Sequence, residues 1–342
     1  MTWISFWKVS SAGERPSDCF NFTCRWQGFS IRQVDISAVV VSYNSGKFLE
    51  QNFISLFRQT IAFKQVIVVD NGSSDESAAI IAAFPDLQKI QSPANLGYAA
   101  AANLGIRGAN ADLVLIANAD IFLAADFNQR VLHFFAEHPQ TSLLSPLILR
   151  FDRQTIDSAG QVYSPALYPR EIGFNQKLAK ARLRAKEMFS VCGAATVFSR
   201  KALEKLKIGS EYYDEDFFMF WEDFDIGWRA NLFGMKTFFA PQAVAYHFRS
   251  ATLKKTWLAR FSLALSRPAP LRYHLLKNRY LTLIKNFRFS QFWWTLPFIF
   301  VKDLLWVCAL TISAPKIIIA LVNSKDIFKR AFKKRRQIQG HE

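Results

Sequence analysis

The run Val66-Ile67-Val68-Val69 delivers the chain to Asp70-Asn71-Gly72-Ser73-Ser74-Asp75, and this is the stretch that most restricts the fold. An uninterrupted β-branched run reads as a parallel strand covered on both faces. In an open α/β sheet, ligands sit beyond the carboxyl ends of such strands, where Asp70 and Asn71 fall. Gly72 allows a tight turn. Ser73 or Ser74 can cap a helix begun by Asp75 and Glu76, and that acidic pair suits a helix's positive end. Taken alone, the turn is equally an ordinary strand-to-helix connection.

The alternation continues from Val34 to about Arg150. Strands are predicted over Ile36–Ser42, Gln65–Asp70, Gln88–Gln91, 112–117 and 142–150, with helices over 47–59, 75–84, 98–107 and 125–138. That order predicts an α/β fold with a parallel sheet between helices. Residues 158–188 are rich in Pro, Gly, Lys and Arg without a clear period, and are expected to form a long mobile loop. A strand over 189–198 and a helix over 217–233 follow.

Charge divides the chain. Residues 226–342 hold 21 Lys or Arg against Asp303, Asp326 and Glu342, whereas residues 1–225 hold 22 basic and 24 acidic residues. A basic third of this kind meets phosphate on nucleic acid, on anionic lipid or on a phosphorylated substrate. The tail 292–322 is apolar, but its longest candidate span, 304–322, contains Pro315 and Lys316. It is therefore expected to lie in a membrane surface rather than cross it. Trp293, Trp294 and Trp306 suit the interface, and Lys325, Lys329, Arg330, Lys333, Lys334, Arg335 and Arg336 would meet anionic headgroups. Helices packed on the body with a solvated basic end are the other reading. Three regions result: a peripheral leader (1–33), a body (34–250) and a basic helical, membrane-associating extension (251–342). The leader lacks the apolar core of a signal peptide. Cys19, Cys24, Cys192 and Cys308 are too scattered for a disulfide framework or a zinc site and point to a reducing compartment.

A second apolar run, Leu113 to Ala117, ends in Asn118-Ala119-Asp120. If both strands share one sheet, Asp70 and Asp120 project into one crevice. One carboxylate plus substrate phosphates is a normal way to hold Mg²⁺ or Mn²⁺, although Asp120 could equally cap a turn. Between the two runs, Asn95-Leu96-Gly97-Tyr98 enters an Ala-rich helix. Its first turn offers free N–H groups to a ligand, and its alanines equally suit tight packing on a sheet. In Phe217-Phe218-Met219-Phe220-Trp221-Glu222-Asp223-Phe224-Asp225-Ile226-Gly227-Trp228-Arg229, helical spacing puts Trp221, Phe224 and Trp228 on a core face and pairs Asp225 with Arg229. Glu222 and Asp223 remain as acids beside aromatic rings, where a carboxylate can be tuned for base catalysis or can complement a helix dipole. His247 ends a predicted strand.

In this order, Ser42-Tyr43-Asn44, VVDNGSSD, PANLGYAAAAN, a strand ending NAD, a GAA strand at Gly193, FWEDFDIGWR and a late His, the motifs resemble the family 2 glycosyltransferases of the GT-A fold. Within that family they look like the bacterial rhamnosyltransferase-type branch. The resemblance covers about residues 36–286. It implies a mixed, mostly parallel sheet sandwiched by helices. It implies that Ser42, Tyr43 and Asn44 line the nucleotide pocket, that Asp70 with Asn71 receives the base, and that Asn95 and Gly97 approach ribose and phosphates. Asp120 matches the last acid of the family's metal-binding DxD element and His247 a residue that completes that site, giving Mg²⁺ or Mn²⁺ as cofactor. Asp223 matches the general base, with Glu222 beside it. Asn118 departs from the pattern by replacing the first DxD acid, which leaves fewer charges on the metal.

The function implied is inverting transfer from a nucleotide sugar, dTDP-rhamnose or a UDP-sugar, to a hydroxyl of a lipid-linked or cell-envelope glycan. The place implied is the inner face of the cytoplasmic membrane, with a polyprenyl-linked acceptor and no nucleic-acid partner. Charge alone also allows a nucleic-acid-binding protein. A nucleotidyltransferase would need a Gly-rich phosphate loop, which Ser42-Tyr43-Asn44-Ser45-Gly46 does not supply.

Overall fold

The computed structural model describes residues 34–248 and 267–340; the expected leader, 1–33, lies outside the described residues. Strands β1 (Ile36–Ser42), β2 (Gln65–Asp70), β3 (Gln88–Gln91) and β4 (Leu113–Asn118) are parallel neighbours in the order β4-β1-β2-β3. Helices α1 (Gly46–Phe57), α2 (Ser77–Ala82) and α3 (Tyr98–Gly108) connect them. After β5 (Ile121–Leu123) and α4 (Phe127–Glu137), the sheet extends through β6 (Thr141–Arg150), β7 (Ile156–Ser158) and β10 (Lys186–Glu187). A separate antiparallel pair, β8 (Gln161–Tyr163) and β9 (Pro169–Glu171), lies within the stretch expected to be a patternless loop. β11 (Ala195–Ser199) is antiparallel to both β4 and β6, and β12 (Lys236–His247) is parallel to β6.

The continuous apolar runs follow from cover on both faces. Ala38, Val40, Val66 and Val68 pack with Leu49, Phe53, Phe127 and Val131 on one side. Val39, Val41, Ile67 and Val69 pack with Ala99, Ala102, Ile106 and, from α5 (Arg200–Leu206), Leu203 on the other. The alanines of α3 are core, and Gly105 has no room for a side chain because a Cβ there would lie 2.2 Å from Val39.

Two expectations are corrected. Residues 189–194 leave the ladder, and the strand begins at Ala195. The backbone N–H of Gly193 turns instead to the carboxylate of Asp223. The predicted helix 217–233 starts only at Glu222, as α6 (Glu222–Leu232). Before it, Phe218, Phe220 and Trp221 take φ of 64°, 68° and 73°. Each such residue costs about 1–3 kcal/mol and persists only where its surroundings hold it.

The holder is the C-terminal region. The described residues from Val34 onwards belong to one compact unit, and α7 (Ala269–Asn286) packs on α6. Beyond it lie α8 (Leu296–Ser313), α9 (Pro315–Asn323) and α10 (Lys325–Gln339). The apolar tail breaks at Ala314-Pro315, and among the described residues the stretch long and apolar enough to cross a membrane is Phe289–Ser313, with mean hydropathy 1.7. Its surface is open: Phe300 is 68% and Ile312 86% exposed. Several cations expected to meet headgroups are paired within the chain. Arg330 pairs with Asp216 at 2.5 Å, and Lys334 pairs with Asp214, Glu211 and Asp216 at 2.5, 2.9 and 3.0 Å. Arg335 donates to the carbonyls of Ile284 and Phe287. A local acidic partner takes Lys329, through Asp326. The physical reason is the acidic segment 211–225, whose Asp214 and Asp225 are buried beside these helices and require counter-charges.

Candidate active site

Strand register places the first group of site residues. β1 lies between β2 and β4, with Ser42 opposite Asp70 and Val41 opposite Asn118. The carboxyl ends of all three strands therefore open on one edge, as Asp70 and Asp120 were expected to. Asn44, at φ 48°, accepts from the Ser74 N–H at 2.8 Å, while its own N–H donates to Ser73 Oγ at 2.9 Å. Asp70 Oδ1 accepts from the Ser73 N–H at 3.1 Å, and the residue is 4% exposed. Ser73 and Ser74 thus tie two loops together rather than cap α2, whose first N–H is taken by Asp75. Tyr43 is exposed above this frame, and Ser42 Oγ is buried without a hydrogen-bond partner among the described residues.

Asn71 and Asn95 work on the neighbouring loop. Asn71 Oδ1 accepts from the Leu96 N–H at 2.9 Å and its amide donates to Asn95 Oδ1 at 3.0 Å, while Asn95 Oδ1 also accepts from the Gly97 N–H at 2.8 Å. These contacts fix the loop's shape. Gly97 has φ 83°, and a Cβ on it would sit 2.5 Å from the Phe218 ring. The first turn of α3 is partly closed as well, since the Ala99 N–H donates to the Phe218 carbonyl at 3.3 Å.

The second group forms where β5 pairs with β12, with Ile121 opposite His247. His247 Nε2 is 3.2 Å from Asp120 Oδ2, and Nδ1 is 2.8 Å from Asp157 Oδ2. Burial alone would lower the His247 pKa, but hydrogen bonds and charge from Asp120 and Asp157 push it up to about 9. A divalent cation held at Nε2 would take the place of a proton there. The donor set fits a divalent metal: a carboxylate and an imidazole whose other nitrogen is held by a second carboxylate. Among the described residues no group of three or more His, Cys, Asp or Glu is arranged to hold a metal by itself. Asp120 and His247 as protein ligands would leave the remaining positions to water and substrate phosphate, the usual arrangement for Mg²⁺.

The third group opens α6. Asp223 is half-buried, and its Oδ2 accepts from the Gly193 N–H at 2.8 Å and Gln161 Nε2 at 2.9 Å; Oδ1 accepts from the Phe224 N–H at 2.8 Å. A Cβ on Gly193 would lie 3.0 Å from the Asp223 side chain, so glycine gives the backbone this approach. Glu222 is 8% exposed, and its Oε2 has no hydrogen-bond partner among the described residues. Burial first, then the neighbouring charges of Asp223 and Asp225, push the Glu222 pKa up to about 8. Burial also raises Asp223, against which its three N–H donors act. Burial and mutual repulsion thus disfavour two charges on the pair, most strongly at Glu222, while the three N–H donors favour the charged form of Asp223. Trp221, Phe224 and Trp228 are core as expected, and Asp225 pairs with Arg229 at 3.1 Å, both fully buried.

Three participants escape a reading of the sequence. Asp157, Gln161 and Glu171 all come from residues 155–171. Gln161 bridges Asp223 to Glu171, whose other oxygen accepts from Ser158 Oγ. A run Thr155-Ile156-Asp157-Ser158-Ala159-Gly160, with an acid beside a serine and a glycine, was the available signal.

A parallel sheet whose open edge carries an acid-histidine pair and an acid-rich helix start defines a GT-A-type glycosyltransferase architecture, and solved structures agree. The chain is similar to Staphylococcus aureus TarS residues 1–349 in complex with UDP-GlcNAc, with a TM-score of 0.54, 16% identity and 90% and 91% of the two chains covered. It is also similar to the mannosyltransferase PcManGT from Pyrobaculum calidifontis in complex with GDP-Man and Mn²⁺, with a TM-score of 0.50, 16% identity and 90% and 86% covered. The family described as Glycosyl transferase family 2 matches residues 37–207, half of the chain, and the protein belongs to it. Among relatives, the poly-β-1,6-N-acetyl-D-glucosamine synthase of Staphylococcus epidermidis is 24% identical over 228 residues, 66% of this chain and 52% of its own length. The N-acetylglucosaminyl-diphospho-decaprenol L-rhamnosyltransferase of Mycobacterium tuberculosis is 27% identical over 239 residues, 63% of this chain and 76% of its own length. The chain thus spans about half the length of the staphylococcal synthase.

Proposed function

We propose that the protein transfers a sugar from a nucleotide-sugar donor to a hydroxyl of a cell-envelope glycan, with inversion at the anomeric carbon. The observation that carries this reading is Asp223: a half-buried carboxylate that accepts from three N–H donors, beside a buried Glu222 whose pKa is pushed up to about 8. In this role Asp223 takes the proton of the acceptor hydroxyl as that oxygen attacks, so no covalent nucleophile on the protein is required. Glu222 keeps a second negative charge out of the pocket. Gln161 and Gly193 hold the Asp223 carboxylate in one orientation.

Ser42, Tyr43 and Asn44 line the donor edge with Asp70, while Asn71 and Asn95 shape the loop that ends at Gly97. Asp120 and His247 would hold Mg²⁺ or Mn²⁺, with Asn118 at the same strand end and Asp157 orienting the imidazole. The metal, when bound, supplies positive charge to the departing nucleoside diphosphate. The mycobacterial relative's name, an L-rhamnosyltransferase acting on a diphospho-decaprenol carrier, supports dTDP-rhamnose as donor and a polyprenyl-linked acceptor; TarS with UDP-GlcNAc supports a UDP-sugar.

Peripheral attachment to the inner face of the cytoplasmic membrane accounts for the exposed apolar face from Trp293 to Val322. The alternative of nucleic-acid binding loses support because Arg330, Lys334, Lys285 and Arg229 are matched by acids of the same chain. Calorimetric titration with a panel of nucleotide sugars, with and without Mg²⁺ or Mn²⁺, tests class, donor and metal together; no binding to any member, with tight salt-sensitive RNA binding, refutes the reading. Phe300→Ser combined with Leu304→Ser and Leu305→Ser should release the protein from anionic liposomes, and undiminished binding refutes the membrane assignment.

A further inference from the structure

We propose that Asn278, on α7 of the basic C-terminal region, is a positioning residue for transfer: it clamps the turn 217–221 that aims Asp223. The inference rests on the reading of Asp223 as the base. Asn278 is fully buried, and its amide nitrogen lies 3.0, 2.7 and 2.8 Å from the carbonyl oxygens of Phe217, Met219 and Phe220. An amide has two N–H donors, so three consecutive-turn carbonyls converge on one group. Those carbonyls belong to the segment in which Phe218, Phe220 and Trp221, all bulky, adopt left-handed backbone. Nothing in their side chains favours that conformation. Without a partner for the inward carbonyls the aromatic run would relax, and the first residues of α6 would rotate with it.

The rest of the α7 face reinforces the clamp on both sides of the acid pair. The His274 ring stacks on Phe218 with centroids 5.0 Å apart and a 14° interplanar angle. Lys277 Nζ donates to the Asp216 carbonyl. Lys285 pairs with Asp214 and, at 2.9 Å, with Asp225, and the Asn286 amide donates to Asp225 Oδ1 at 2.8 Å. The same turn reaches the donor loop, because Phe218 supplies the carbonyl that receives the Ala99 N–H and the ring against which Gly97 lies. Asn278 therefore aims the base through this turn, whereas the donor loop is framed separately by Asn71 and Asn95, and Asn278 touches neither substrate position.

The test compares steady-state transfer by full-length Asn278→Ala, Asn278→Ser and Leu276→Ala. Leu276 is on the same helix but packs on Leu310 and Ile317, away from the turn. Since a misplacement of about 1 Å costs on the order of 10²-fold, Asn278→Ala should lower kcat about 30- to 100-fold. Its KM for donor should change less than about threefold, Asn278→Ser, which keeps one donor, should fall between, and Leu276→Ala should keep kcat within about threefold. Combining Asn278→Ala with Asp223→Asn should cost no more than Asp223→Asn alone, because one variant acts through the other. If Asn278→Ala does not accumulate folded, Asn278→Ser carries the same comparison. Equal kcat in the Asn278 and Leu276 variants, with Asp223→Asn inactive, overturns the positioning role alone. An Asp223→Asn enzyme at the wild-type rate overturns the base assignment and this proposal with it.

Discussion

Glu222 and Asp223 are adjacent carboxylates with opposite requirements, and the pair of isosteric variants Glu222→Gln and Asp223→Asn should separate them. In Asp223→Asn, the amide can keep its carbonyl towards Gly193 and Gln161 and surrender only the bond from the Phe224 N–H, a cost of about 1–3 kcal/mol. In Glu222→Gln, the amide enters a place where Oε2 already has no partner, and the cost is again about 1–3 kcal/mol. Stability is thus lowered similarly, while chemistry is not. Loss of a general base costs about 10²- to 10⁴-fold in rate, whereas Gln reproduces the neutral state that Glu222 holds at pH 7, so its rate should fall less than about tenfold. The pH dependence provides an independent readout. The wild-type rate should decline as Glu222 ionises near pH 8, and that limb should vanish in Glu222→Gln. Glu222 has a folded pKa above its unfolded value of about 4.3, so its contribution to stability is present at low pH and lost as pH rises towards 8. The melting temperature of Glu222→Gln should lack this slope. Donor-saturated initial rates from pH 5 to 9, with melting curves on the same samples, decide the matter. A Glu222→Gln enzyme as slow as Asp223→Asn, or one that keeps the break near pH 8, refutes the division of labour.

Three further outcomes are expected. Lys285→Met removes a fully buried cation shared by Asp214 and Asp225 and should cost about 3–5 kcal/mol, seen as a lowered urea midpoint. Burial would raise the Asp214 pKa, but Lys285 and Lys334 hold it well below the usual carboxylate range. Its stabilisation is therefore present above about pH 4 and lost on acidification, and Lys285→Met should flatten the acid limb of an unfolding series. Gly97→Ala places a methyl 2.5 Å from Phe218 at φ 83° and should weaken donor binding at least tenfold by calorimetry as the 92–98 loop shifts. Asp157→Asn leaves the proposed metal ligands Asp120 and His247 in place but should loosen the imidazole; Mn²⁺ affinity, measured by titration in the presence of nucleoside diphosphate, should fall about 10- to 100-fold.

How much could be read from the chain depends on how far apart the partners lie. The strands β1 to β4 were readable because a strand covered on both faces must be apolar at every position, as Val66 to Val69 are. The loops at their ends were readable because Asn44, Gly72 and Asp75 act within a turn or two of the strand ends. By contrast Asp157 meets His247 across 90 positions, Gln161 meets Asp223 across 62, and Asn278 meets the turn across 58 to 61. No local pattern marks such pairs. The turn itself was read as helix because the spacing of Trp221, Phe224 and Trp228 extends backwards into an aromatic run with neither Gly nor Pro to stop it. Tertiary hydrogen bonds to its carbonyls override that periodicity. Net charge misled in a similar way: composition counts cations but not their partners, and Lys334 finds three acids more than a hundred positions earlier.

The grip of α7 on the 214–225 segment also fixes when this protein can become active during its own synthesis. A ribosome that has passed His247 has made every residue proposed to touch substrate, yet the aromatic turn before Glu222 lacks the clamp of Asn278 until α7 emerges and folds back. The lever arriving last is continuous with the helices that carry the exposed apolar face. On that proposal a half-made chain should transfer sugar more slowly than the finished one, and the full rate should appear only as the polypeptide acquires the surface proposed to bring it to its acceptor.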